Sequence, residues 1–380
     1  MTPKERYLTA LRGDIPDQVP VSLSIGPTNA LRWLGHDDWQ TVLEAHKIVG
    51  SIPAQDFGLD YYTTNTSSIF KINWPAGWGE THELIPVTDS SSARIKCRII
   101  TTPLGTLRSQ ERLDRGEYIH GQTLEPLIKT HMDYNVYIAY IHKWLEFVEI
   151  KGGSAESSEI ARILGDDGVW VTWNIHSFYQ YFWTLRGVED YLMDFYTVPE
   201  LMLQVMKATW KLNKKYIQVF NRSSSPLLIC NLSGASTSVI SPDFFRQWVL
   251  PELKWMVESV QPDKFIGFHL TGKVRDIFPI MMEARPHTIL RFESPRFGGD
   301  ISLKEVKEGY GDQICITGGF DPHVFVQGCC EDIRQETFRC IDEAASKGGY
   351  ILANTDHIPE ETEIEDVKFM VEVAREYGQY

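Results

Sequence analysis

Six polar side chains lie at the ends of apolar, β-rich runs in the second half of the chain. They are Asn231, His269, Glu293, Asp321, Asp356 and His357. Side chains at the carboxyl ends of parallel strands converge on one mouth, so a single site is predicted there. Histidine exchanges protons near neutral pH, and a buried carboxylate needs a metal ion or a cation beside it. The pattern therefore predicts acid–base or metal chemistry, with Asp321 shaping a turn or capping a helix instead.

Eight β-rich runs are predicted to be the strands that position these residues. They are 18–26, 56–64, 168–174, 225–231, 264–270, 287–294, 313–320 and 349–355. Helical or loop sequence separates them, and this order gives parallel pairing with right-handed crossovers. The predicted fold class is α/β, a (β/α)8 TIM barrel with its site on the C-terminal face.

Helix signals are clearest in residues 241–261, which open with Ser241 as a cap and Pro242 at the first helical position. Pro199 is predicted to divide 187–222 into two helices, because proline cannot donate to the helical ladder. Further helices are predicted over 131–149, 155–164, 331–347 and 364–378.

About a hundred residues separate the second and third predicted strands, far more than a usual crossover. Alternation and a Pro-Leu-Gly turn predict a β-hairpin within 92–112. We interpret about 65–165 as a β-rich elaboration at the barrel mouth. Residues 1–380 are predicted to form one elaborated domain.

Charge and cysteine content exclude several classes of protein. The 37 basic and 51 acidic residues give a net charge of −14, which disfavours nucleic-acid binding and attachment to an anionic membrane. The charged amino terminus lacks the apolar stretch of a signal peptide, so a cytoplasmic location is predicted. No CxxC spacing occurs among the six cysteines. The sequence leaves a homodimer open.

Several segments resemble landmarks of one superfamily. They are KERYLTALRGDIPDQVPV, TPLGTL, SPDFFRQWVLPELK, FHLTGKVRD, GDQICITGGFDP and GGYILANTDHIPEETEIEDVKFMVEVAREYG. Together they resemble the uroporphyrinogen decarboxylase-like superfamily over almost the whole chain. That superfamily includes true decarboxylases and also cobalamin-dependent methyltransferases that often use zinc. The resemblance implies the barrel fold and leaves the reaction to be argued from the site.

The decarboxylase branch carries an arginine-rich segment just after the first strand, where it holds a substrate with many carboxylates. The corresponding segment here is SLSIGPTNALRWLG, in which Arg32 is the only cation. Because arginine pairing is the effective way to bind carboxylates, decarboxylation of uroporphyrinogen is disfavoured.

The zinc methyltransferases carry His-x-Cys-Gly at the fifth-strand mouth and a second cysteine after the last strand. Here the first motif is His269-Leu270-Thr271-Gly272, and the late cysteine position falls on Asp356. Both thiolates are therefore missing. His269 and Glu293, with Asp356 or His357, could form a nitrogen and oxygen zinc site with an open position, which would polarise an oxygen. Without zinc, His269 or His357 could act as the general acid, oriented by Glu293 or Asp356.

The resemblance and these residues predict a methyltransferase of the O-demethylase type. Its methyl donor would be a methoxylated aromatic, and its acceptor the cobalt(I) of a separate corrinoid protein. Alternatives are a lyase that decarboxylates a small acid, a methyltransferase between methylcobalamin and a thiol or folate, and a noncatalytic barrel that binds a corrinoid or aromatic ligand.

Aromatic side chains crowd residues 170–183, which fits an aromatic substrate. The residues assigned to substrate binding are Trp173, His176, Tyr179, Asn231 and Asp56. Ordinary core packing is the alternative for the aromatic residues.

Two further alternatives concern the acidic candidates. Glu293 could pair with Arg291 or Lys273 instead of serving the site. Adjacent residues in extended chain point to opposite sides, so only one of Asp356 and His357 is expected to enter the site.

Overall fold

The computed structural model describes residues 1–55, 70–87, 93–113, 121–150, 155–291 and 293–380. The chain divides into two compact units. Unit 1 contains Met1–Phe57, Glu156–Ile175 and Ser223–Tyr380, and unit 2 contains Gly58–Ala155 and His176–Arg222. The predicted elaboration at about 65–165 overlaps the first segment of unit 2, and the single-domain hypothesis stays a prediction.

The helices of the described residues follow the sequence signals closely. They are α1 (Pro3–Leu11), α2 (Pro27–Leu34), α3 (Trp39–Val49), α4 (His131–Phe147), α5 (Ala155–Leu164), α6 (Phe178–Arg186), α7 (Val188–Thr197), α8 (Pro199–Arg222), α9 (Pro242–Phe244), α10 (Leu250–Ser259), α11 (Phe278–Met282), α12 (Leu303–Tyr310), α13 (Val324–Gln327), α14 (Cys330–Ala344) and α15 (Ile364–Tyr377). The division at Pro199 is confirmed, as are the predicted helices that correspond to α4, α5, α14 and α15.

The strands of the described residues form one parallel and two antiparallel sheets. They are β1 (Ala54–Gln55), β2 (Phe70–Ile72), β3 (Gly79–Pro86), β4 (Arg94–Thr102), β5 (Gly105–Leu113), β6 (Gln122–Glu125), β7 (Val148–Ile150), β8 (Val169–His176), β9 (Leu227–Asn231), β10 (Phe265–His269), β11 (Thr288–Leu290), β12 (Cys315–Phe320) and β13 (Tyr350–Asn354). The parallel sheet has the order β1-β8-β9-β10-β11-β12-β13. This curled α/β sheet confirms the last six predicted strands.

The first two predicted strands have different outcomes. The run 56–64 lies outside the described residues, and β1 ends just before it. The run 18–26 forms no continuous strand, because Pro20 has no N–H with which to extend a ladder. It forms a single parallel bridge between Val21 and Leu352.

Hydrogen bonds nevertheless join this segment to both edges of the sheet. Ser22 N donates to Leu352 O of β13 at 2.9 Å, and Ile52 N, just before β1, donates to Val21 O at 2.8 Å. The extended chain around Val21 therefore lies between the first and last strands of the parallel sheet.

Alternate residues of the parallel strands form the core of unit 1. The core cluster contains Tyr7, Ala10, Leu11, Ile52, Val169, Val171, Leu227, Ile229, Leu290, Cys315 and Ile351. Successive strand residues point to opposite faces, so the spacing of two in β8 and β9 identifies their core-facing side. Helix α1 contributes three residues, and a capping box of Thr2 and Glu5 fixes where it begins.

Gly267 of β10 allows its neighbours in this core to approach closely. A Cβ atom there would lie 2.5 Å from Thr288 Cγ2 and 2.6 Å from Leu290 Cδ1. We expect Gly267→Ala to lower the free energy of unfolding by about 1–3 kcal/mol, through overpacking. Gly309→Ala, in helix α12, is the matched control, because no atom lies within 4 Å of the added Cβ. Alanine is favoured over glycine in a helix, so the free energy of unfolding of this variant should rise by about 0.5–1 kcal/mol. Urea midpoints that do not separate the two variants would contradict this packing.

The predicted helix over 241–261 is confirmed, with one irregular turn. Ser241 Oγ accepts from Phe244 N at 3.1 Å, as expected of a cap. Residues Phe245–Val249 form a π-helical turn, in which Leu250 N donates to Phe245 O. Pro251 follows at once and cannot donate to the helical ladder, which accounts for the wider turn.

Unit 2 contains the predicted hairpin within a four-stranded antiparallel sheet of order β3-β4-β5-β6. Strands β4 and β5 are paired along their length, with Arg94 opposite Leu113 at one end and Thr102 opposite Gly105 at the other. Pro103 and Leu104 therefore form the loop. This confirms the predicted hairpin within 92–112, and the wider elaboration stays a prediction.

None of the helices in the described part of the chain combines the length and the apolar character needed to span a bilayer. None of the six cysteines, all of which lie in described residues, forms a disulfide, and four of them are buried.

Candidate functional site

Asn231 and His269 end neighbouring strands of unit 1 and share one register position. In the parallel pairing of β9 with β10, His269 is the partner of Asn231. Asn231 follows the core residues Leu227 and Ile229 at a spacing of two, so it has the core-facing parity. Both residues are half-buried. The structure therefore brings these two predicted site residues together at the carboxyl end of the sheet.

The Asn231 amide is held by the turn that follows β9. Its Oδ1 accepts from Ser233 N at 2.8 Å. The amide nitrogen has no hydrogen-bond partner among the described residues, so it can donate to an oxygen of a ligand. This arrangement is compatible with a role of Asn231 in substrate binding, and that role stays a prediction.

Thr271 occupies the position where the zinc methyltransferases carry a cysteine. Its hydroxyl donates to Ser233 O at 2.7 Å, which ties the loop after β10 to the loop after β9. Gly272 follows with φ of 71° and is packed against Ser236. Thr271 therefore has a structural role in this loop.

Glu293 is held against the same loop from the neighbouring strand. Arg291 turns the chain after β11 with φ of 56°, a conformation that is costly for a residue with a side chain. Gly272 N donates to Glu293 Oε2 at 3.1 Å. The carboxyl of Glu293 is thus placed at the Thr271-Gly272 turn, two residues beyond His269.

Burial raises the pKa of Glu293, and the negative charge of Asp356 raises it further, while the Gly272 N–H acts in the opposite direction. The net pKa lies above the usual range for a glutamic acid. Glu293 therefore holds a proton more readily than an exposed carboxyl does, which suits a general acid.

Asp356 and His357 are exposed and follow β13 directly. Asp356 Oδ1 accepts from His357 N at 2.7 Å, and Asn354 Nδ2 donates to the Asp356 carbonyl. The effect of Asp356 on the pKa of Glu293 places its carboxylate within electrostatic reach of the site. The role of His357 stays a prediction.

The metal prediction names His269, Glu293 and Asp356. No cluster of three or more His, Cys, Asp or Glu side chains in the described ranges has an arrangement able to hold a metal ion. Glu293 already accepts from a backbone N–H, and its raised pKa opposes the deprotonation that metal binding requires. As placed, these residues do not fit zinc, and zinc binding stays a prediction from the sequence.

Three further substrate-binding candidates precede these residues in the chain. Trp173 lies on β8, and His176 ends that strand, half-buried, with its carbonyl accepting from Asn213 Nδ2 at 3.0 Å. Tyr179 is fully buried in α6, where its ring packs edge-on against Trp183. Its placement is that of a core aromatic. Asp56 lies outside the described residues.

Asn354 and Ser294 are site candidates that the sequence patterns did not reveal. Asn354 ends β13, is fully buried, and accepts from Ser24 N at 2.7 Å while it donates to Asp356. The sequence signal that could have identified Asn354 is its position at the end of a strand, which it shares with Asn231. Ser294 Oγ is buried beside Glu293 and has no hydrogen-bond partner among the described residues. No sequence signal marks it.

Asp321 shapes the turn after β12, as predicted. Its Oδ1 accepts from His323 N at 2.9 Å, and its own N–H donates to the buried Glu336 at 3.1 Å. Arg339 donates to Glu336 through two nitrogens, at 2.6 and 2.9 Å. This buried ion pair on α14 fixes the loop that carries Asp321.

The parallel sheet is curled, and polar residues follow the carboxyl ends of its strands. This arrangement is typical of α/β enzymes whose site lies at that end of the strands. The family model described as uroporphyrinogen decarboxylase (URO-D) matches residues 181–377. The chain belongs to this family, which confirms the resemblance drawn from its motifs.

A solved structure shows the same fold. A methyltransferase from Methanosarcina mazei has a TM-score of 0.63 and 17% identity, covering 99% of each chain. A protein described as a vitamin B12 independent methionine synthase from Listeria monocytogenes has a TM-score of 0.41 and 13% identity, covering 60% of this chain and 73% of that chain. No curated protein sequence matches this chain significantly.

Proposed function

We propose that this protein is a methyltransferase that removes the methyl group of an aryl methyl ether and transfers it to a separate corrinoid protein. The observation that carries the proposal is the carboxyl of Glu293, which is held at the Thr271-Gly272 turn after β10. The last residue of β10, His269, pairs in register with Asn231 of β9. Family membership and the fold shared with a methyltransferase support the class of reaction. We also infer that the segment around Val21 completes an eight-stranded barrel, since it bonds to Leu352 of β13 and to Ile52, just before β1.

The chemical difficulty in this reaction is the leaving group. An aryl methyl ether is inert because phenolate leaves poorly, so the ether oxygen needs a proton as the bond breaks. The C–O bond breaks with its electron pair on oxygen, and Glu293 gives that oxygen its proton, so a phenol is released. The corrinoid protein supplies the nucleophilic cobalt(I) that takes the methyl carbon.

The other site residues orient the ether and complete proton transfer. The Asn231 amide nitrogen donates to an oxygen substituent on the ring. His269 exchanges protons near neutral pH and can restore the proton on Glu293 after turnover. Trp173, His176, Tyr179 and Asp56 stay predicted substrate contacts, and His357 stays an alternative acid.

Decarboxylation is the activity in the family's name, and one observation weighs against it here. Arg32, the only cation of the segment after the first predicted strand, forms an ion pair with Glu363 of the same unit. Its guanidinium is thereby engaged, and no second arginine stands beside it in that segment. A substrate with many carboxylates would lack partners there.

The proposal is tested with purified protein, a methoxylated benzoate and a reduced corrinoid protein. We expect phenol release only when all three are present, and none when the corrinoid protein is left out or oxidised. Metal analysis of the same preparation tests the zinc prediction. Release of phenol without corrinoid, or of carbon dioxide in place of phenol, would contradict the proposal.

A further inference from the structure

A second polar cluster lies in unit 2, between the antiparallel sheet and helices α4 and α6. We call it the Arg98 cluster, and its members are Glu80, His82, Arg98, Tyr137, Tyr140 and Tyr181. Glu80 and His82 lie on β3, and Arg98 lies opposite His82 on β4. None of these residues takes part in the chemistry proposed for unit 1.

Glu80 is the acceptor at the centre of the Arg98 cluster. It accepts from Arg98 Nε at 2.7 Å and from Tyr140 Oη at 2.5 Å, and His82 Nε2 lies 3.1 Å from its Oε1. Burial by itself raises the pKa of Glu80, but the Arg98 charge and the two other contacts bring the net pKa below its usual range. Glu80 is therefore ionised, and it fixes the orientation of Arg98.

Arg98 uses only part of its hydrogen-bonding capacity in this arrangement. Its Nε is bound to Glu80, and its two terminal nitrogens have no acceptor among the described residues. The side chain is 22% exposed, so most of the cation is withdrawn from water. These terminal N–H groups can therefore donate to an acceptor from outside the protein. A planar fork of this kind matches the two oxygens of a carboxylate.

The tyrosines beside Arg98 offer a further donor and an aromatic surface. Tyr137 Oη and Tyr181 Oη lie 2.6 Å apart. Such a pair has two hydroxyl protons and uses one between its members, so one proton remains to donate. The ring of Tyr140 stacks on that of Tyr137 with centroids 5.6 Å apart, and Trp74 lies 5.4 Å from Tyr140 on centroids.

We propose that the Arg98 cluster binds the carboxylate of an aromatic acid. The terminal nitrogens of Arg98 and the free hydroxyl proton of the Tyr137–Tyr181 pair donate to the carboxylate oxygens. The ring of the ligand lies against Trp74 and Tyr181, the aromatic residues here that are partly exposed. This site is independent of the methyl transfer proposed for unit 1.

The test is calorimetric titration of the whole protein with benzoate, and with benzyl alcohol and inorganic phosphate in parallel. We expect benzoate to bind measurably, and the neutral alcohol and the phosphate to bind at least tenfold more weakly. Arg98→Met should weaken benzoate binding at least tenfold. Arg108→Met, at an exposed position on the next strand, should leave it unchanged, and so should His269→Ala.

A second variant guards against loss of folding in Arg98→Met, which leaves Glu80 without its cation. Tyr181→Phe keeps the pair of Arg98 with Glu80 and removes a hydroxyl, so it should weaken benzoate binding about threefold to tenfold. Absence of benzoate binding, equal binding of phosphate, or full binding by folded Arg98→Met or Tyr181→Phe would overturn the proposal.

Discussion

Replacing His269 with alanine is expected to lower kcat for methyl transfer over repeated turnovers by about 10²- to 10⁴-fold, the range typical for loss of a positioned acid–base group. His269 ends β10 at the register position of Asn231, two residues before the Thr271-Gly272 turn that holds Glu293. The side chain is half-buried, so its loss should affect catalysis far more than packing. The measurement is the initial rate of phenol release with saturating corrinoid protein.

His287→Ala is the matched control for this variant. His287 also belongs to unit 1 but precedes β11, at the opposite ends of the parallel strands. Its Nδ1 accepts from Ile266 N at 3.1 Å. We expect this variant to lose some stability and to keep its turnover. A folded His269→Ala enzyme with activity within threefold of the parent would remove His269 from the site.

Glu293→Gln is expected to lower kcat by a similar factor, about 10²- to 10⁴-fold, because an amide cannot give up a proton to the ether oxygen. The active form of Glu293 is protonated, so its fraction falls as pH rises through the raised pKa. The kcat/KM of the parent enzyme should therefore fall at high pH, which gives the pH profile an alkaline limb. The residual kcat/KM of Glu293→Gln should show no such fall. The measurement is the pH profile of kcat/KM.

Asp356→Asn provides the directional test of this assignment. The negative charge of Asp356 helps to raise the pKa of Glu293, so its removal should move the alkaline limb to lower pH. Glu283→Gln is the control, since Glu283 pairs with Arg246 and Lys254 on the surface. An alkaline limb that survives in Glu293→Gln, or that does not move in Asp356→Asn, would show that another group titrates.

Local signals in the sequence predicted most of the elements, for identifiable physical reasons. The apolar, β-rich runs of β9 and β10 and the Ser241-Pro242 cap act over a few residues, and the structure confirms them. The run 18–26 is also β-rich, with apolar residues at alternate positions. It does not form a continuous strand, because Pro20 removes a donor that a ladder needs.

Partners distant in the chain were harder to predict. Sequence comparison showed that Thr271 replaces a cysteine, but only the fold shows its hydroxyl bound to Ser233. The contact between Gly272 and Glu293 likewise depends on how two strands lie side by side. Arg98 meets Glu80 through the register of β3 with β4, which no motif encodes.

The most direct test of the proposed methyl transfer follows the methyl group itself. A methoxylated benzoate labelled with ¹³C in its methyl group is incubated with the enzyme and reduced corrinoid protein, and the label is traced by NMR in a single turnover. We expect the labelled methyl to appear on the corrinoid protein in an amount equal to the phenol released, and Glu293→Gln to slow both by about 10²- to 10⁴-fold. Label that stays on the ether, or appears as free methanol without methylated corrinoid, would contradict it.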